Sequence, residues 1–184
     1  MHTFHLPIHE LGPDFIRDLK RQYPSADLEI VVRERLEHPD MDEAAFWRII
    51  GLLDWRQTGH NEAVLEPAVE ALAQLSKDAI AAFEDILSEK LWLLDTEAHA
   101  RPFMDKHPKG RLSVDDFLYV RCCVVANGQA AFEEVLQHPE KIPDLSFGAL
   151  LRLADLAHRR KTGKDLDHIP TYNYETYSNA NGWI

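Results

Sequence analysis

The stretch Asp115-Asp116-Phe117-Leu118-Tyr119-Val120-Arg121-Cys122-Cys123-Val124-Val125-Ala126-Asn127-Gly128 constrains the fold more than any other part of the chain. It sets one permanent charge, Arg121, among apolar neighbours and ends on an Asn-Gly stop. A segment of that composition is buried, and a buried guanidinium needs a carboxylate or carbonyl partner. The expected partner is Asp85, Glu89 or Asp95 on a long neighbouring helix, which would make Arg121 an internal fastener. The competing use of such a residue is a guanidinium on the floor of a pocket, gripping a carboxylate or phosphate ligand. That pocket would be lined by Arg121, Tyr119, Trp92 and Tyr174. Val120, Val124 and Val125 would also suit a strand, and Asn127-Gly128 a hairpin turn. The helical pattern of Gln129 to Leu136 leaves no hairpin partner, so the segment reads as helix.

With 184 residues the chain is long enough for one full domain with a real core. Its 20 basic and 31 acidic residues leave a formal charge of -11. An acidic field repels phosphate backbones and anionic lipid, which argues against nucleic acid and membrane surfaces as partners. No apolar run approaches the ~20 residues of a spanning helix. Residues 1 to 12 lack the positive start and apolar core of a signal peptide. The two cysteines are adjacent, a spacing that opposes a disulfide, and reduced thiols point to a cytoplasmic setting.

The pattern changes along the chain. In residues 1 to 36, Phe4, Leu6 and Ile8 alternate with polar residues and proline as a strand. Gly12-Pro13-Asp14 opens a short helix carrying Phe15, Ile16 and Leu19, and Leu28, Ile30 and Val32 suggest a second strand. This strand–helix–strand arm has two open edges, which would pair with a second copy or another protein. Phe4, Leu6 and Ile30 are the candidate contact residues. From Met41 onward the sequence predicts a mostly α domain of about six helices. Asp42, Ser76, Ser113 and Ser146 mark helix starts, and the helix from Asp42 is expected to run to Thr58-Gly59. Residues 97 to 112, with two prolines, read as a less regular connector. The tail from residue 169 to 184 is too aromatic for disorder and is expected to dock on the helices.

Three places carry a family resemblance. They are Phe46-Trp47 with Leu52-Leu53-Asp54-Trp55, the segment from Asp116 to Gly128, and Tyr174-Glu175-Thr176 with Ser178-Asn179 and Gly182-Trp183. On these the chain resembles, from about Met41 to its end, the bacterial family catalogued as domain of unknown function 4240. The resemblance implies a helical unit and a bacterial cytosolic setting, and it supplies no catalytic residue. The first 36 residues lie outside it.

Candidate chemistry is sparse. Asp155 and His158 stand at i, i+3, a metal-binding spacing when a second such pair faces it, and the sequence offers no second pair. His5 and His9 on a strand would be about 13 Å apart, too far for one ion, and His2 adds nothing closer. No metal or cofactor is expected. Cys122 and Cys123 lie in an apolar segment that makes a thiol inert. The adjacent carboxylates Asp115-Asp116, Glu84-Asp85 and Glu133-Glu134 read as caps or solvated faces. In the tail, Tyr177 and Trp183 are either part of a docked strap or a recognition face. These patterns favour a non-catalytic protein-interaction module, possibly a homodimer, with an unknown protein partner or self-association. The alternative is a small-ligand binder or an enzyme acting on an anionic metabolite at Arg121.

Overall fold

Helix-capping residues and 3.6-residue apolar stripes set the architecture. The computed structural model describes residues 11–27, 38–106 and 113–183, and eight α-helices lie among them. The chain forms two compact units, Met1–Arg35 and Leu36–Ile184. In the first, α1 (Pro13–Gln22) starts after Gly12 with proline at its first turn, as the sequence predicts. The strands expected at Phe4, Leu6, Ile8 and at Leu28, Ile30, Val32 fall outside the described residues, so no strand–helix–strand arm is shown.

The second unit contains α2 (Glu43–Ile50), α3 (Asn61–Gln74), α4 (Lys77–Leu93), α5 (Glu97–Lys106), α6 (Val114–Ala126), α7 (Gln129–Gln137) and α8 (Leu153–Thr162). Three starts read from the sequence are side-chain caps that satisfy first-turn amides. Asp42 accepts from Ala45 N at 2.7 Å, Ser76 from Ala79 N at 3.0 Å and Ser113 from Asp116 N at 3.3 Å. The only β pairing among the described residues is an isolated bridge between His38 and Met41.

Three expectations are corrected. The unit has seven described α-helices where about six were expected, because residues 97–106 form α5 instead of an irregular connector. Pro102 obscured it: a proline removes one helical hydrogen bond, yet tertiary contacts hold the helix. The Thr96 hydroxyl accepts from His99 N at 3.3 Å, and the buried His99 ring reaches Val135 O at 3.2 Å. Next, α2 stops at Ile50, and a separate 3-10 turn at Trp55–Gln57 follows, held by Asp54 accepting from Arg56 N. Finally, the last helix does not start at Ser146; a 3-10 turn at Gly148–Arg152 leads into α8, which closes on left-handed Gly163.

At the centre stands α6. Phe117, Leu118, Val120, Arg121, Cys122, Cys123, Val124, Val125 and Ala126 are all buried, which takes in most of its circumference. A helix apolar nearly all round must be enclosed by others. It packs on α4, α7 and the 148–152 turn, while α8 packs on α3 and α4. The core stripe of α4 (Ile80, Phe83, Leu87, Leu91) is fully covered, each side chain contributing about 2 kcal/mol by burial. Gly128, at φ 93°, turns the chain from α6 into α7 in a conformation that costs other residues about 1–2 kcal/mol.

Candidate functional site: the seam beneath the C-terminal strap

Two aspartates ten positions apart along α4 and its end hold the tail. Asp85 lies on α4, and Asp95 follows its last turn. One oxygen of Asp85 accepts from Thr171 N at 2.8 Å and Thr171 Oγ1 at 3.0 Å, with His168 Nε2 3.1 Å away. The fully buried Asp95 accepts from Tyr177 N (3.2 Å), Asn179 N (3.0 Å), Ser178 Oγ (3.4 Å) and Trp183 Nε1 (3.1 Å). Tyr177 has φ 75°, the left-handed region. That unusual backbone lets nearby amides converge on one carboxylate, in the manner of backbone concavities that bind anions.

Arg121 stands between the two anchors and is fully buried. Its Nη1 donates to Leu91 O at 2.9 Å and its Nη2 to Thr176 Oγ1 at 2.9 Å; that hydroxyl in turn donates to Val114 O at 2.7 Å. Asp95 Oδ1 is 3.9 Å from Nη1, and the guanidinium lies 4.9 Å from the Phe117 ring centre. Burial works against the cation, and Asp95, followed more weakly by Glu175, works for it. Arginine stays protonated in proteins, so the balance produces a fixed internal charge pair.

The strap thus runs as a series of polar contacts with rings between them. Tyr172 meets Trp92 at 5.2 Å, Asn179 Nδ2 donates to Trp92 O at 3.1 Å, and Trp183 stands edge-on to Phe117 at 6.1 Å. Gly182 permits the last approach: an added Cβ would lie 2.7 Å from Thr96 Cγ2 and 3.0 Å from Asp95 O. Gly182→Ala is therefore expected to push the strap end off its seat, costing about 1–3 kcal/mol in denaturant unfolding. The same variant should red-shift tryptophan emission as Trp183 gains water. An unchanged midpoint and spectrum would show that the close approach is not needed.

The residues expected to line one ligand pocket are dispersed. Arg121 faces protein atoms, and half-buried Tyr174 packs against the core. Trp92 is covered by Tyr172, and Tyr119 stands elsewhere, its ring against Gly148 and its carbonyl accepting from Phe147 N at 2.9 Å. Of the proposed contact residues, Phe4, Leu6 and Ile30 lie outside the described residues. Trp183 is tied to Asp95, and Tyr177 is 53% exposed with its ring 4.4 Å from Trp183.

Other candidate chemistry resolves into structure. Asp155 accepts from Leu166 N at 2.9 Å and pairs with Arg159, while His158 Nδ1 meets Lys164 O at 2.9 Å, so both close the end of α8. Among the described residues no group of three or more His, Cys, Asp or Glu is placed to hold a metal ion. Burial pushes the Cys122 thiol up to about 12 and also raises that of Cys123, so neither is a thiolate near neutrality.

The Glu84-Asp85 pair is the main departure from expectation, being neither a cap nor a solvated face. Asp85 anchors the strap, and Glu84 is 7% exposed with no hydrogen-bond partner for its Oε2 among the described residues. Burial first, then Asp85 and Asp155, raise the Glu84 carboxyl to about 7. The missed signal was positional. Glu84 lies four residues after Ile80 and three before Leu87, on the buried stripe of α4.

Fold and seam together define an all-helical protein body closed by its own C-terminal strap. No helix among the described residues is long and apolar enough to cross a membrane. The chain belongs to the family described as Protein of unknown function (DUF4240), whose profile matches residues 41–175. The match takes in Asp85, Asp95, Arg121 and Tyr174 and stops before Thr176. No curated protein and no solved structure matches the chain significantly.

Proposed function

We propose that this protein is a non-catalytic protein-interaction module. One observation carries the reading. Trp55 of the 3-10 turn, Phe147 and Tyr119 of α6 form a contiguous aromatic face, with Trp55 and Phe147 rings 5.0 Å apart. Trp55 is 40% and Tyr119 37% exposed, whereas Phe46, Phe83 and Phe117 are fully buried. Tryptophan and tyrosine are the residue types that most often carry binding energy at interfaces. The formal charge of -11 favours a partner whose rim is basic. Self-association through the N-terminal segment is a further part of the proposal, resting on the alternation at Phe4, Leu6 and Ile30. The reduced thiols favour a cytoplasmic setting.

A photo-crosslinking amino acid at Tyr119 of the full chain, introduced in host cells, tests the aromatic face. The expected result is a discrete adduct from position 119, absent from an exposed control at Glu133 and lost when Trp55→Ala is added. Equal adducts at both positions, or none at 119, would remove the support for this face. Sedimentation of full-length wild type against Leu6→Lys/Ile30→Lys tests self-association. A wild type that is monomeric at hundreds of micromolar would end that part of the proposal.

A further inference from the structure

Glu84 is the buried titratable group that the strap's anchors leave unused. Groups from every element around it face it: Asp85 on α4 itself, Asp155 on α8, Cys122 on α6 and Tyr174 on the strap. Burial holds the Cys122 thiol and the Tyr174 phenol each at about 12, so both stay neutral near physiological pH. Asp85 is committed as an acceptor to Thr171, and Asp155 to Leu166 N and Arg159. An ionised Glu84 is therefore a third negative charge in a closed space, with one oxygen that no protein group satisfies. With its proton, the same side chain is neutral and fits beneath Tyr174.

Water can reach that carboxylate by two routes. One separates α4 from α6 and α8 and breaks the core. The other lifts the near half of the strap, whose listed polar ties run to Asp85 and whose Ile169 is already 90% exposed. The far half has its own anchor, Asp95, and need not move. We propose that Glu84 is a proton-operated latch: protonated, it lets segment 168–174 lie on α4; ionised, it lifts that segment while 177–183 stays seated. Lifting uncovers the Trp92 ring from Tyr172, so the latch controls exposure of an aromatic surface separate from the Trp55 face.

Hydrogen exchange read by mass spectrometry on the full chain tests this, with protection corrected for the intrinsic rate at each pH. Between pH 6 and pH 8.5, wild-type amides in 168–174 should lose roughly tenfold in protection, the linkage expected for a carboxyl near neutrality when docked and ordinary when lifted. Glu84→Gln should hold its protection within about twofold over the same range, while α4 and α6 amides change in neither protein. The His168–Asp85 contact is present in both proteins, so the difference between them belongs to Glu84. Equal loss in both, or no loss in wild type, overturns the proposal. Should the variant not fold, wild type decides alone. The Glu84 side-chain carbon and the Tyr174 amide must then titrate with one midpoint by NMR, and separate midpoints overturn the latch.

Discussion

Asp95→Ala is expected to lower the unfolding free energy by about 3–5 kcal/mol, the largest loss from any single polar substitution in the strap seam. The change removes the acceptor for four donors on the strap and leaves the Arg121 charge without its carboxylate. Each stranded buried donor costs its desolvation, and the stranded cation costs more. Urea unfolding followed by far-UV circular dichroism measures the effect. Arg121→Met is expected to cost about 3 kcal/mol by the same reasoning, since it leaves Asp95 buried with only strap donors. The double variant separates pair from parts: the two losses should fall short of additive by at least 1 kcal/mol. Strict additivity would mean that the 3.9 Å separation carries no interaction, and that the Leu91 and Thr176 contacts alone hold the guanidinium.

Glu84→Gln is expected to shift stability in a pH-dependent way, with a swing of about 3 kcal/mol between pH 4.5 and pH 8.5. The Glu84 carboxyl rises from an ordinary 4.5 to about 7 in the folded protein. Because its folded value lies above its unfolded value, the native state binds the extra proton, and its contribution is fully present below about pH 4.5. That contribution drains away as pH rises through the window to about 7 and is gone above it. At roughly 1.4 kcal/mol per pH unit, a window of that width gives about 3 kcal/mol. Glutamine has no proton to lose, so its stability relative to wild type should climb across the window and then level off. Any constant packing cost of the amide cancels in the comparison between pH values. A flat difference from pH 4.5 to 8.5 would show that Glu84 titrates as an exposed carboxyl does. The global measurement and the local exchange experiment are separate readouts of one buried acid.

Local sequence signals carried much of the helical layout. Asp42, Ser76 and Ser113 marked helix starts because a capping side chain acts within three residues of itself. The Asn127-Gly128 stop was legible because a positive φ selects glycine. α5 was not legible: Pro102 lowers local helix propensity, and what holds the helix, such as His99 against Val135, lies far off in sequence. The same limit hid most of the seam. That Arg121 needs a carboxylate followed from burial, and Asp95 was one of three candidates. That Asp85 and Asp95 bind the strap did not follow, because those contacts span more than eighty positions. Glu84 was within reach of the periodicity but was passed over because adjacent carboxylates so often face water. The open strap rings, Tyr172 on Trp92 and Trp183 on Phe117, fit the expectation that an aromatic tail docks.

The strap also bears on the order in which the molecule can be finished during synthesis. Thr176 is made 55 residues after Arg121, and Asn179 84 residues after Asp95. A nascent chain whose helices have already gathered must therefore hold a charged centre lacking half its hydrogen bonds until that late segment leaves the ribosome. Folding of this protein is completed from its last-made described residues inward, and chaperone contact or a stall before that point would act on an unsealed interior.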